Sequence, residues 1–208
     1  MYKRQLIIGI AGGTGSGKST VVRKIMESLP SEKVAVLPQD NYYRDSSHIA
    51  PEERCNINFD EPAAIEWSLL VEHIEKLKAG APIEMPTYSM LTCTRQPETI
   101  RIEPCDVIII EGILVLTDPE LRKMLDIKVF VDADADERLI RVIARDCVER
   151  GRTPMMVINR YQKTLKPMHL LHIEPTKRYA DIILPQGGDN KVGINMLSGY
   201  ISSRLQKK

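Results

Sequence analysis

No two of the four cysteines, Cys55, Cys93, Cys105 and Cys147, stand closer than twelve positions apart. That excludes a Cys-x-x-Cys redox pair and zinc-ligand spacing, and predicts free thiols in a reducing compartment. Aromatics are scarce, with two phenylalanines, one tryptophan and seven tyrosines in 208 residues. Neither sign of charge prevails: 29 basic residues face 28 acidic ones, for a formal net charge of +1. There is no basic stripe interleaved with aromatics, so no nucleic acid and no membrane surface is expected as partner. Long apolar runs are missing too. Behind the basic Met1–Gln5 segment, the run Leu6 to Ala11 is six residues, too short for the core of a signal peptide or for a bilayer span. No internal repeat, low-complexity tract or Ser/Gly linker divides the chain. A soluble, cytoplasmic protein is expected.

What is present suits one globular domain over residues 1–208, with 43% hydrophobic and 27% charged residues. A chain of this length buries about 70% of its unfolded surface and needs no disulfide. Short continuous apolar runs read as strands covered on both faces: Leu6–Ala11, Val34–Leu37, Val107–Ile110, Lys128–Val131 and Asp181–Leu184. Helical spacing marks Ser19–Leu29, Ala64–Leu77, Asp136–Glu149, Met155–Ile173 and Val192–Leu205. Strands alternating with helices predict an α/β fold, a mostly parallel sheet wrapped on both faces. Between residues 82 and 102 the pattern changes, and Ile83–Tyr88 with Thr99–Ile102 reads as a β-hairpin flap.

Between the first strand and the first helix, Gly12, Gly13, Thr14, Gly15, Ser16, Gly17, Lys18 and Ser19 fit G-x-x-x-x-G-K-[ST], with Thr20 next. A polyphosphate needs many donors close together, and glycines let successive N–H groups turn inward with no Cβ in the way. The helix N-terminus adds partial positive charge, Lys18 can reach the β- and γ-phosphates, and the Ser19 hydroxyl can ligate Mg²⁺. A nucleotide polyphosphate with Mg²⁺ is therefore the expected ligand of this loop. A GTPase should also carry D-x-x-G and N-K-x-D. The first is missing, and the nearest approach to the second, Asn190-Lys191-Val192-Gly193, lacks the guanine-reading Asp.

Two acids follow strands at the edge where the P-loop lies. Glu111 ends the most strand-like segment and Asp40 follows the second strand. In an open parallel sheet that edge faces the ligand, so both carboxylates are expected to approach the γ-phosphate and its Mg²⁺, and Ser19, Glu111 and Asp40 are the candidate metal residues, with Glu111 in the place of a Walker-B acid. Asp40 is also placed to accept a proton from an attacking hydroxyl. Arg138, Arg141 and Arg145 share one helical face, ahead of Glu149-Arg150-Gly151-Arg152. Arg138 and Arg141 read as a solvated face with local pairs such as Glu137–Arg141. Arg150 and Arg152, flanking a glycine, read as arginines of a lid at about 145–168 that neutralises phosphoryl charge and excludes water.

Taken in order, these segments resemble the uridine kinase (uridine–cytidine kinase) family from about Ile7 to Ile201. The resemblance is carried by the P-loop, Gln39-Asp-Asn-Tyr-Tyr43, Asn58-Phe-Asp-Glu-Pro62, Ile109-Ile-Glu-Gly-Ile-Leu114, Phe130-Val-Asp132, Arg145-Asp146, Glu149-Arg-Gly-Arg152, Lys166-Pro-Met168 and Glu174-Pro-Thr-Lys-Arg-Tyr-Ala-Asp181. It implies a P-loop kinase fold, with transfer of the γ-phosphate of ATP or GTP to the 5′-hydroxyl of a pyrimidine nucleoside, a Mg²⁺ ion and a homotetramer. It makes Asp40 the general base and Asp60 the carboxylate that accepts from the ribose hydroxyls. Tyr43 and Tyr88 would border the nucleoside pocket, Arg145, Arg150 and Arg152 would lie on the phosphate and lid side, and the hairpin would bind the base.

Three positions depart from the family's usual pattern, all on the acceptor side. Cys93 stands where a base-reading His is common. Val142 follows Arg141 where a second Arg is common. Arg160 precedes Tyr161 where Gln is common. A thiol in place of an imidazole removes a good hydrogen-bonding group, and Arg160 brings a cation to the acceptor side. Two other functions stay open from the residues: a kinase of this fold with another hydroxyl acceptor, and a non-catalytic nucleotide sensor.

Overall fold

The computed structural model describes residues 5–54 and 57–206. Cys55 and the Met1–Arg4 part of the basic Met1–Gln5 segment lie outside them, while Cys105 and Cys147 enter no disulfide. The strands are β1 (Leu6–Ala11), β2 (Val34–Pro38), β3 (Ile83–Ser89), β4 (Thr94–Ile102), β5 (Val107–Glu111), β6 (Ile127–Val131) and β7 (Ile182–Leu184). The helices are α1 (Lys18–Met26), α2 (Pro51–Arg54), α3 (Trp67–Lys78), α4 (Pro119–Met124), α5 (Ala135–Glu149), α6 (Pro154–Arg160), α7 (Lys166–Met168) and α8 (Lys191–Gln206).

Five strands form one parallel sheet in the order β2-β5-β1-β6-β7, and β3 and β4 form a separate antiparallel hairpin. The expected α/β fold is present, with a core on each face. Because side chains alternate along a strand, Ile7, Leu37, Ile108, Ile110 and Phe130 pack on Leu70, Ile74 and Leu77 of α3 and Leu121 of α4. Ile8, Ile10, Ile109, Val129 and Val131 face the other way, onto Val21, Val22 and Ile25 of α1 and Ile194, Leu197 and Ile201 of α8. Each such fully buried aliphatic side chain contributes about 1.5–3 kcal/mol. Among the described residues, no helix is long and apolar enough to cross a membrane.

Register brings the carboxyl ends of the central strands level. Ile10 of β1 and Pro38 of β2 both pair with Glu111 of β5, and Ala11 pairs with Phe130 of β6. The P-loop, Asp40 and Glu111 therefore start from one edge.

Several elements differ from the sequence expectation, among them the four-residue helix α2, which was not anticipated. The second hairpin arm begins at Thr94 rather than Thr99. Residues 94–98 are polar apart from Pro97 because this arm is largely exposed beyond Thr94, and apolar alternation cannot reveal such a strand. The single helix expected over Met155–Ile173 is instead α6 and α7 interleaved with π-helical turns at Tyr161–Leu165 and His169–Ile173. Pro167 has no N–H to give to an i−4 carbonyl, and a widened turn accommodates that loss. The short helix α4, not anticipated, is signalled by Asp118-Pro119: the Asp118 carboxylate accepts from Leu121 N at 2.7 Å, with Pro at the first turn.

Candidate active site

The P-loop turns from β1 into α1 through glycines where a side chain would collide with its surroundings. Gly12 has φ +145, and a Cβ there would come within 2.3 Å of the Val131 carbonyl. Gly17 caps α1 in the left-handed region, at φ 91. Lys18 is buried and donates from Nζ to Gly13 O at 3.1 Å, arching back over the loop. Burial lowers its pKa, opposed by the Glu111 and Asp40 carboxylates. Thr20, at the end of this first turn, packs against Gly188, where a Cβ would lie 2.4 Å from its methyl. Lys24 Nζ holds that same strip by donating to Gly188 O at 2.7 Å.

Ser19 Oγ donates to Glu111 Oε2 at 3.2 Å. Burial pushes the Glu111 carboxyl up, with Lys18 pulling it down and Asp40 adding to the rise. Asp40 sits in the 3₁₀ turn Gln39–Tyr42 that follows β2. That turn is docked by Gln39, whose side-chain oxygen accepts from Leu114 N at 2.9 Å. Gly112 is required beneath it, since a Cβ there would stand 2.1 Å from Gln39 Oε1. Gln39 is a site-building residue that the sequence reading missed, although it lies next to Asp40.

Asp40 keeps an exposed surface, yet protein groups crowd around its carboxylate. Burial raises its pKa, while Lys18, Arg150, Arg145 and a hydrogen bond from Tyr43 oppose the rise. Tyr43 is buried, and its ring contacts Phe59 at 5.1 Å and Tyr88 at 5.3 Å. Burial drives the Tyr43 phenol well above its usual value, with Asp40 and Asp60 adding to the rise. Asp60 is 4% exposed, and its Oδ2 lies 3.4 Å from Arg160 Nη2. Burial raises its pKa against the pull of Arg160.

The hairpin is tied onto this turn chiefly by Arg95. Its guanidinium pairs with Glu66 at 2.8 Å and donates to Tyr43 O at 2.9 Å, and its N–H donates to Asp45 at 3.3 Å. Tyr88 lies on β3, its phenol pushed up to about 12 by burial. Cys93 occupies the turn between the arms with φ 55, and its carbonyl accepts from Ser46 Oγ.

On the lid side, Asp146 gathers Arg145, Arg150, Arg152 and Arg160 around one carboxylate. Arg138 corrects the sequence reading. It does not lie on a solvated face but is 6% exposed, donating to Ala133 O at 3.2 Å and to Thr14 O of the P-loop at 3.5 Å. The reason is that α5 starts just beyond β6, whose end adjoins the P-loop. Arg141 makes the expected pair with Glu137, at 3.6 Å, and also reaches Gly15 O at 3.5 Å. Lys18, Glu111, Asp40, Arg145 and Arg150 are thus electrostatic neighbours. Tyr43, Asp60 and Arg160 continue from Asp40, with Tyr88 against Tyr43, and Cys93 lies in the turn between the hairpin arms.

This strand-edge geometry, with its cradle, level acids and surrounding arginines, defines a P-loop phosphotransferase. A model of the phosphoribulokinase / uridine kinase family matches residues 7–193. The chain is 53% identical over 205 residues to a uridine kinase of Alkaliphilus metalliredigens, covering 99% of each chain. It is 49% identical over 207 residues to a uridine kinase of Clostridium tetani, covering 100% of this chain and 99% of that one. Its fold resembles a phosphoribulokinase from Rhodobacter spheroides with a TM-score of 0.68 at 16% identity, covering 88% of this chain and 71% of that one. The chain belongs to the phosphoribulokinase / uridine kinase family.

Proposed function

We propose that this protein transfers the γ-phosphate of ATP, or GTP, to the 5′-hydroxyl of uridine or cytidine, forming UMP or CMP in pyrimidine salvage. One observation carries the proposal: Asp40 stands where the two halves of the site meet. Lys18, Arg145 and Arg150 act on its carboxylate from the phosphate side, and Tyr43 bonds it from the acceptor side, with Asp60 close enough to influence the same phenol. A base that removes a proton from an acceptor hydroxyl as a phosphoryl group arrives has to occupy such a junction. The near-half or greater identity to relatives named uridine kinase, over their full length, supports the choice of nucleoside.

In this scheme the N–H groups of Gly12 to Ser19 and the Lys18 ammonium hold the triphosphate. Asp60 accepts from the ribose hydroxyls, since a carboxylate can take two neighbouring O–H groups at once. Tyr43, Phe59 and Tyr88 offer ring faces and edges to the base, and Cys93 lies at the hairpin turn beyond them. Arg145, Arg150 and Arg152 face the charge that spreads over the transferring group. Holding both substrates in line supplies up to roughly 7–11 kcal/mol, so positioning accounts for most of the acceleration.

The residues fit Mg²⁺. Ser19 Oγ and Glu111 Oε2, 3.2 Å apart, are hard oxygen donors on one edge, as suits an ion that takes few protein ligands and keeps phosphate oxygens and water. When bound, Mg²⁺ neutralises charge between the β- and γ-phosphates. A cytoplasmic homotetramer belongs to this reading by family likeness.

The test is ADP release from MgATP with uridine, with cytidine and with no acceptor, with the product mass confirmed. Nucleoside-dependent release with UMP or CMP formed is expected. A folded, ATP-binding sample with no nucleoside-dependent release would overturn the proposal.

A further inference from the structure

Asp146 lies in the last turns of α5 and is 1% exposed. Four guanidinium groups converge on its carboxylate. Arg145 reaches Oδ1 through Nε at 2.9 Å and Nη2 at 2.8 Å, and Arg150 approaches the same oxygen at 3.5 Å. Arg152 binds Oδ2 at 2.7 Å, and Arg160 Nη1 stands 3.9 Å from that oxygen. The Asp146 backbone carbonyl joins in, accepting from Arg150 N at 3.2 Å and Arg152 N at 3.1 Å. Burial alone would push the carboxyl up, but the bond to Arg145 and the charges of Arg145, Arg150 and Arg152 outweigh it and hold it below the usual carboxylate value.

One negative charge thus collects four positive ones. The arginines repel each other, as the lowering of Arg150 by burial and by Arg145 shows. Left alone, they would extend into water. Gathered, they present surplus positive charge, and two of them, Arg145 and Arg150, already act on Asp40. Arg160 adds a link in another direction. Its second nitrogen lies 3.4 Å from Asp60, so one guanidinium spans two buried carboxylates. Both contacts are longer than the roughly 2.7–2.9 Å of a tight charge-assisted bond, leaving Arg160 free to shift between them.

We propose that Asp146 is a positioning residue for the phosphoryl transfer: it assembles Arg145, Arg150 and Arg152 into one cationic face and, through Arg160, ties that face to the acceptor-binding carboxylate Asp60. The inference rests on the nucleoside kinase reading above. It follows that the arginines are in place before the transferring group arrives, so their ordering is not a cost of the chemical step. It also follows that acceptor binding at Asp60 is felt on the lid side, because hydroxyls that occupy Asp60 release Arg160 toward Asp146.

The experiment compares wild type, Asp146→Asn, Arg160→Gln and the double variant in steady-state kinetics with uridine and MgATP. Thermal melting and ATP binding check the fold. For Asp146→Asn, kcat is expected to fall by ~10²-fold, the scale of losing aligned charge at a transferring group, while KM for MgATP moves less than ~3-fold. For Arg160→Gln, KM for uridine is expected to rise by ~10-fold, with a smaller change in kcat. The double variant should lose less than the product of the two single losses, since part of each runs through the other. Acceptor-independent ATP hydrolysis, measured relative to transfer, should rise in both single variants; a merely structural role would leave that ratio unmoved.

A wild type with no nucleoside-dependent turnover fails the function and this inference together. A competent wild type beside a folded Asp146→Asn with kcat within ~3-fold of it fails the inference alone, and so do single losses that simply multiply. Should Asp146→Asn not fold, the half-buried Arg160→Gln carries the test, and an unchanged KM for uridine overturns the link to Asp60.

Discussion

Ser19 Oγ donates to Glu111 Oε2 across 3.2 Å, joining the first turn of α1 to the end of β5. The contact follows from register. Ile10, two residues before the first P-loop glycine is complete, pairs with Glu111 on the neighbouring strand, so loop and acid leave the sheet at one level. A hydroxyl and a carboxylate held together in this way are two hard oxygen donors that would hold Mg²⁺ and help it offset phosphate charge.

Glu111→Gln is therefore expected to raise the Mg²⁺ concentration for half-maximal activity by ~10-fold or more, as loss of a charged ligand does, with a fall in kcat. ATP binding in the absence of Mg²⁺ should change little, because the P-loop N–H groups and Lys18 are untouched. A Mg²⁺ titration at fixed ATP decides it. An unshifted titration would remove Glu111 from the metal site.

Asp40 gives a pH signature. Its carboxyl is raised above the usual 3.8, chiefly by burial. A base must be ionised to work, so falling pH removes activity, and the acid limb of kcat/KM should lie above the ordinary Asp range. Glu111 and Asp60 are raised in the same direction, so the limb belongs to the group of acids until a variant separates them. Asp40→Asn is expected to cut kcat by ~10² or more, with the dissociation constant for MgATP within ~3-fold of wild type. Near-wild-type kcat in that variant would exclude Asp40 as the base.

The strands and the phosphate cradle were legible because their signals are local. Ile7 and Ile8 alternate between two cores within one apolar run, and the glycines of the cradle are contiguous with Lys18. Arg138 was misread because its burial is decided by where α5 starts relative to the P-loop, and helical spacing reports only which residues share a face. Asp146 was visible beside Arg145, with Arg150 one helical turn on, yet its partners at 152 and 160 reach it only after the chain turns at Gly151, with φ 62, and re-enters as α6. The interrupted helix around Pro167 shows a further boundary: apolar periodicity near 3.6 persists through a π-helical turn, so pattern alone does not separate the two. Beyond Thr94 the second hairpin arm carries mostly exposed, polar residues, and its pairing is fixed by β3 rather than by its own composition.

Cys93 sits at the turn of that hairpin, held by Ser46 at its carbonyl, with its backbone in the left-handed region at φ 55. Histidine tolerates that conformation better than most residues. Cys93→His is therefore expected to fold with the hairpin register kept, and to add an imidazole that can donate to or accept from a pyrimidine edge. Uridine and cytidine present opposite hydrogen-bonding character at position 4 of the ring, so a group that reads that edge separates them. The ratio of kcat/KM for the two nucleosides should shift by ~10-fold, the scale of gaining one discriminating bond. KM for MgATP should stay within ~2-fold, since position 93 belongs to the hairpin turn and not to the P-loop or the lid. Competition between the two nucleosides in one reaction, read by product mass, gives the ratio directly. A ratio within ~2-fold of wild type would mean that the base is not read at position 93, and selection would then fall to Tyr88 and the residues around Asp60 and Arg160.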